Sequence, residues 1–198
     1  MNAPHETKER LLEAGLELLL ARGYADTGIQ DVLDATDVPR GSFYHHFENK
    51  EDFALQVIDR YMAGVHEALD AALSDASQPP LERIRGFFVV VRQSYASEGY
   101  LGCLLGALGQ ELAGVNRIFR VKIESCFSAI ALRIAGCLED AARRGELAAG
   151  VDTRLLANTI VNCWEGAALR SRLLRDSAPL ETVLDFCFTA VRPLSRRR

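Results

Sequence analysis

Thr27-Gly28-Ile29-Gln30-Asp31-Val32-Leu33-Asp34-Ala35-Thr36-Asp37-Val38-Pro39-Arg40-Gly41-Ser42-Phe43-Tyr44-His45-His46-Phe47 is the stretch that decides how this chain reads. Ile29, Val32 and Leu33 share one side of a short helix that Thr27 is placed to cap. After Asp37, Pro39 opens another helix at a position where a missing N–H costs nothing. Two short helices with so few residues between them have the dimensions of a helix-turn-helix. In the later helix Phe43 and Phe47 are four apart and point to a core together, which leaves Arg40, Ser42, Tyr44 and His45 toward the outer side and the N-terminal end. Gly41 and Ser42 are small enough for that end to approach a phosphate backbone, where free N–H groups and the helix dipole favour an anion. Arg40 suits guanine or phosphate, and the Tyr44 hydroxyl suits phosphate.

Working outward, helical periodicity continues in both directions. Upstream, Leu11, Leu12, Gly15, Leu16 and Leu19 make one face of a helix that stops at Gly23-Tyr24. Downstream, Asn49 caps a helix with acidic residues in its first turn, and Phe53, Val57, Ile58, Tyr61, Met62, Val65, Leu69 and Leu73 form its stripe. At 1.5 Å per residue its roughly 20 residues span about 30 Å, long enough to join two bodies. Ser77-Gln78-Pro79-Pro80 ends it. A fifth helix follows around Ile84 to Tyr95, and a short sixth lies between Gly99 and Gly114. A seventh stops at Gly145, an eighth is capped by Asp152, and a ninth runs from Pro179 to Pro193. Sustained alternation and hairpin dipeptides are missing, so the sequence predicts an all-α fold of about nine helices. The predicted division is a three-helix head over residues 1–48 and a helical bundle over 49–198.

Composition narrows the function classes. The 198 residues, 48% hydrophobic and 25% charged, suit one or two globular units. Apolar runs such as 87–91 and 127–132 are far shorter than the roughly 18–20 residues of a membrane span. Residues 1–10 are polar and lack a secretory core, so a cytoplasmic protein with no membrane partner is expected. Five widely spaced cysteines with no C-x-x-C pair argue against disulfides and zinc. No Ser-His-Asp order, glycine-rich nucleotide loop or H-E-x-x-H is present, which leaves an all-α enzyme or a structural dimer as the alternative from another class. Neighbouring His45 and His46 diverge by about 100° on a helix, so neither metal nor cofactor is predicted.

The run Gly23-Tyr24, Thr27 to Val32 and Val38 to Glu51 resembles the N-terminal domain of TetR-family transcriptional repressors. There a glycine-aromatic pair precedes a Thr-capped helix, a short turn, a Lys/Arg-Gly-Ser/Thr-hydrophobic-Tyr-His/Tyr run and a Ser/Asn-Lys-Glu helix start. The match covers about a quarter of the chain. The resemblance implies a homodimeric repressor of a palindromic operator in double-stranded DNA, released by a small-molecule effector held in the bundle. Carried over position by position, the DNA contacts are Thr27, Gln30, Arg40, Gly41, Ser42, Tyr44, His45 and Lys50. One departure stands out: the usual Ala-Gly of the turn is Thr36-Asp37 here, and Asp is able to adopt the left-handed conformation that Gly supplies.

Charge qualifies the picture. The chain carries a formal −4, and residues 1–50 hold five basic against nine acidic side chains. A protein that coats DNA nonspecifically is more basic than this. A dimer reading one operator needs only a local patch, for which Arg40, Lys50, His45 and His46 are the sequence-based choice.

Beyond the head, Cys103 follows Gly102 at the predicted start of the sixth helix, where the dipole favours a thiolate. A TetR subgroup that responds to electrophiles carries a similar Gly-Cys-Leu followed by a Leu and a Glu spaced like Leu108 and Glu111. The lysine which that subgroup carries later is Arg172 here. Cys103 stands open between a packed helix start, a covalent electrophile or redox sensor, and pocket lining. Inward residues Met62, Phe88, Val91, Tyr95 and Leu104, with Leu108, Phe119, Ile123, Phe127 and Trp164, would line an apolar effector cavity or simply fill the core. The last two helices are apolar on more than one face, which calls for a second copy. Leu156, Ile160, Cys163, Ala167, Leu180, Val183, Leu184 and Cys187 are the predicted dimer contacts.

Overall fold

The computed structural model describes residues 3–192, and these form α-helices joined by turns, with no strand among them. In chain order the helices are α1 (Ala3–Arg22), α2 (Ile29–Thr36), α3 (Arg40–His46), α4 (Lys50–Leu73), α5 (Pro80–Ser97), α6 (Leu104–Leu112), α7 (Arg117–Arg143), α8 (Thr153–Leu174) and α9 (Ala178–Ala190). The all-α expectation and the helix order hold. At 24 residues α4 is longer than predicted, about 36 Å. Helix α9 ends at Ala190, while Pro193 and the arginines 196–198 lie outside the described residues.

Two compact units make up the chain. One takes in the residues up to Gly64 together with Cys103–Glu124, and the other takes Val65–Gly102 and the stretch from Ser125 on. That division differs from one at residue 48, because α6 and the start of α7 belong with the head.

In the first unit the core is a phenylalanine triangle. Phe43, Phe47 and Phe53 are at most 2% exposed, with ring centroids 5.0, 5.2 and 4.9 Å apart. Leu11, Leu19, Val32, Val57 and Ile58 of the same unit are buried too. At Gly15 α1 lies tight against α4, since a Cβ there would come 2.3 Å from the Phe53 ring. The α2–α3 turn forms as the sequence suggested: Asp37 sits at φ 51, ψ 38, and its N–H donates to the Leu33 carbonyl. Arg10 of α1 donates to the Thr36 carbonyl at 2.5 Å and so satisfies the end of α2.

Capping at the start of α2 corrects the sequence reading. Gly28 is the N-cap, its N–H taken by the Asp31 carboxylate at 2.6 Å, while the Thr27 hydroxyl turns back to donate to the Gly23 carbonyl at 2.7 Å. Asn49 does cap α4 through the Asp52 N–H, and Asp152 caps α8 through the N–H groups of Arg154 and Leu155.

In the second unit Arg83 closes the α4–α5 loop by donating to the carbonyls of Gln78 and Leu73. Phe88 and Trp164 pack with centroids 4.7 Å apart and Tyr95 stands 6.2 Å from the same indole. Leu180, Leu184, Cys187 and Phe188 of α9 are buried, as are Ile160 and Ala167 of α8. No helix among the described residues is long and apolar enough to cross a membrane.

Candidate nucleic-acid interface

Helix α3 has two unlike sides. Phe43 locks it to the core, and Arg40, Gly41, Tyr44 and His45 form its exposed side. A Cβ at Gly41 would meet nothing within 4 Å, so the backbone there is open to a close approach. One helical turn apart, Arg40 and Tyr44 meet: the guanidinium lies 3.5 Å from the phenol oxygen and 5.8 Å from the ring centroid. That contact holds a long cationic side chain against a planar one and leaves both exposed. Ser42 is half-buried, and Gln30 is exposed on α2 with its amide donating to Asp34 at 2.8 Å.

Two of the predicted contacts lie elsewhere. Thr27 is 2% exposed, and its hydroxyl is spent on the carbonyls of Leu18 in α1 and of Gly23 just past it, so its part is to fix the α1–α2 turn. Lys50 stands over the Tyr24 ring at 4.3 Å, with Nζ 3.4 Å from the Ala25 carbonyl oxygen, which ties its cation to that turn. His46 is also not the positive charge the sequence reading gave it. Burial first, then the neighbouring His45 and Lys8, lower its imidazole pKa, so it carries less positive charge than a free imidazole at the same pH. The charge of the predicted patch is therefore smaller than expected, and Arg40 is its exposed, permanently charged member. The logarithm of DNA affinity should fall with log salt more gently than the slope of about −5 to −9 of a protein making 6–10 phosphate contacts. Fluorescence anisotropy from 50 to 300 mM salt checks this, and a slope in that steep range contradicts it.

The remaining predicted residues divide between the units. Met62, Cys103, Leu104, Leu108, Phe119 and Ile123 belong to the first, Phe88, Val91, Tyr95, Phe127 and Trp164 to the second. Leu104, Leu108 and Phe119 are completely buried. The Phe119 ring meets Tyr24 edge-on at 5.2 Å, which makes it core of the head rather than a cavity wall. Cys103 is the N-cap of α6, with the Tyr61 hydroxyl donating to its sulfur at 3.7 Å. None of the five cysteines is in a disulfide. Burial pushes the Cys137 thiol up to about 11 and raises that of Cys187, which keeps both protonated and unreactive. Arg172 donates to the Leu101 carbonyl at 3.2 Å, in a loop where Gly99, Tyr100 and Gly102 all have positive φ. Among the described residues no group of three or more His, Cys, Asp and Glu side chains is placed to hold a metal.

The predicted dimer residues also need correction. Ile160, Ala167, Leu180, Leu184 and Cys187 are buried within the chain itself, and Leu156, Cys163 and Val183 are half-buried. The face that α8 leaves open is the stripe Leu155, Thr159, Asn162, Gly166, Leu169 and Leu173, at alternating spacings of four and three, with Phe186 of α9 70% exposed.

Comparison with known proteins decides the family. The model of bacterial regulatory proteins of the tetR family matches residues 11–57, and that of a tetracyclin repressor-like C-terminal domain matches residues 80–187, more than half the chain. The chain belongs to the TetR family. It is similar to the HTH-type transcriptional repressor DhaR of Mycobacterium sp. (strain GP1), 31% identical over 186 residues, or 94% of this chain and 92% of that protein. The transcriptional regulator AcuR of Cereibacter sphaeroides is 38% identical over 175 residues, 88% of this chain and 80% of that one. A solved structure of the regulatory protein TetR from Rhodobacter sphaeroides has a TM-score of 0.89 at 36% identity, covering 96% of this chain and all of that one. The reduced form of NemR from E. coli superposes with a TM-score of 0.82 at 26% identity, covering 92% and 95%. TetR-family membership makes the chain a DNA-binding transcriptional regulator and not an enzyme.

Proposed function

We propose that this TetR-family protein is a homodimeric repressor that reads a palindromic operator with the outer side of α3 and is released by a small, largely apolar effector. One observation carries the reading: Arg40, Gly41, Tyr44 and His45 share the exposed side of a short helix whose other side is fixed by Phe43 in a rigid aromatic core. A side chain fork held this way suits guanine in a major groove, and Gln30 on α2 suits phosphate or a base edge beside it. Two such helices related by a two-fold axis suit half-sites roughly 34–36 Å apart. The open leucine stripe of α8 supports the dimer, and the Phe88–Tyr95–Trp164 cluster supports an apolar effector taken by the second unit. Gel shift on duplexes tiled over the DNA flanking its own gene tests the reading. Preference for one fragment over a scrambled duplex of equal length is expected, and equal binding to all of them contradicts it.

A second reading gives Cys103 a covalent role. It is half-exposed at the start of α6, where a thiolate is favoured, and a hydroxyl stands beside its sulfur. N-ethylmaleimide would add to the thiolate: the sulfur bonds one alkene carbon as a thioether, the C=C π bond breaks, and the proton lost from the thiol is replaced by one taken up at the neighbouring carbon. Release from DNA is expected in the native protein and no release in Cys103→Ser; release that persists in Cys103→Ser removes this reading.

A further inference from the structure

The turn between α1 and α2 is held from outside by a single carboxylate. Gly23 ends α1 at φ +82, and the N–H groups of Tyr24 and Ala25 then point the same way. Both donate to Glu111 of α6, Tyr24 N to Oε2 at 2.7 Å and Ala25 N to Oε1 at 2.6 Å. The fit is close on the glycine side too, since a Cβ at residue 23 would lie 2.8 Å from Oε2. Lys50 grips the same turn through the Ala25 carbonyl and the Tyr24 ring. Further ties run between the same parts of the head: Asn116 Nδ2 donates to Glu51 Oε2 at 2.6 Å, and Lys122 pairs with Asp59.

We propose that Glu111 is the positioning residue through which α6 sets the reading helices, so that its carboxylate is needed for operator recognition although it touches no DNA. Charge-assisted bonds to two adjacent backbone N–H groups fix the turn in both distance and direction. From the turn the constraint passes along the chain: Thr27 bonds to the Gly23 carbonyl, Gly28 caps α2, and α2 carries α3. The other end of α6 is Cys103 with Tyr61 on its sulfur, about 12 Å away along nine residues of helix. A shift of that rod therefore reaches the turn through the Glu111 carboxylate, alongside the packing of α6 on α1. This inference rests on the DNA-reading function proposed above, and it holds whether or not Cys103 is reactive.

Glu111→Ala and Glu111→Gln in the full chain test it. Gln keeps one acceptor but sets its NH2 against the second backbone N–H, so it does not replace the carboxylate. Affinity for the preferred flanking duplex is expected to fall roughly tenfold in both variants, within the range of ordinary site-to-site coupling. Affinity for a scrambled duplex should stay within about twofold, because the phosphate-facing charges are untouched. Amide hydrogen exchange should rise at Tyr24 and Ala25 and stay unchanged at Leu19 and Leu20. Unchanged specific affinity, unchanged exchange at the two amides, equal loss on both duplexes, or loss of helical signal in both variants would each overturn the proposal. A native protein that prefers no duplex fails the DNA reading instead, and Arg40→Ala run alongside separates the two failures.

Discussion

Arg40→Ala removes operator binding while leaving the protein folded. Arg40 is exposed, and its only described side-chain partner is the hydroxyl of Tyr44, itself exposed, so the head keeps its core without it. On DNA, a bidentate arginine–guanine contact is worth about 1–3 kcal/mol, and a two-fold dimer uses it twice. The loss should therefore be about 2–6 kcal/mol, or roughly 30-fold to 10⁴-fold in affinity. The Lys50 charge does not compensate, because its cation is engaged at the α1–α2 turn. Anisotropy titration on the preferred fragment measures the effect, with circular dichroism as the control for fold. An Arg40→Ala protein that binds within threefold of the native one would move the reading face off α3.

Leu169→Glu combined with Leu173→Glu should turn the proposed dimer into monomers and so take operator binding with it. Both leucines are exposed in the chain, 42% and 71%, so their replacement leaves the protomer core intact. In a two-fold α8–α9 contact each would be buried in both copies. Only the exposed part of each side chain is gained, 42% and 71% in both copies, so the burial contributes about 3–7 kcal/mol at roughly 1.5–3 kcal/mol per fully buried leucine. Losing that, and setting like charges against each other, should raise the dimer dissociation constant by at least about 10²-fold. Sedimentation velocity at micromolar concentration reads the change. A double variant that still sediments as a dimer would place the interface elsewhere.

Local chemistry was legible in the sequence wherever neighbours in the chain decide it. Asp37 in the left-handed region, Asn49 and Asp152 as caps, and the Phe43–Phe47 pair all follow from residues a few positions apart. Thr27 misled because the helix starts one residue later: Asp31, three residues past Gly28, takes the Gly28 N–H and makes Gly28 the cap, and the threonine hydroxyl turns back to Gly23. Helix α8 misled for a different reason. It is apolar on more than one face, so periodicity alone does not say which stripe the chain covers itself; Ile160 and Ala167 went inside and Leu169 and Leu173 stayed out. The Glu111 carboxylate lies 87 residues from Tyr24, and no local pattern ties it to that turn. For the same reason the head's share of α6 and α7 was invisible to a division drawn along the chain.

The mass of the complex on DNA tests the central claim most directly. Sedimentation equilibrium of the protein with a slight excess of its preferred flanking duplex should give two chains per duplex, and cutting that duplex between its half-sites should abolish tight binding. A complex holding a single chain, bound as tightly to one half-site as to both, would contradict a paired reader.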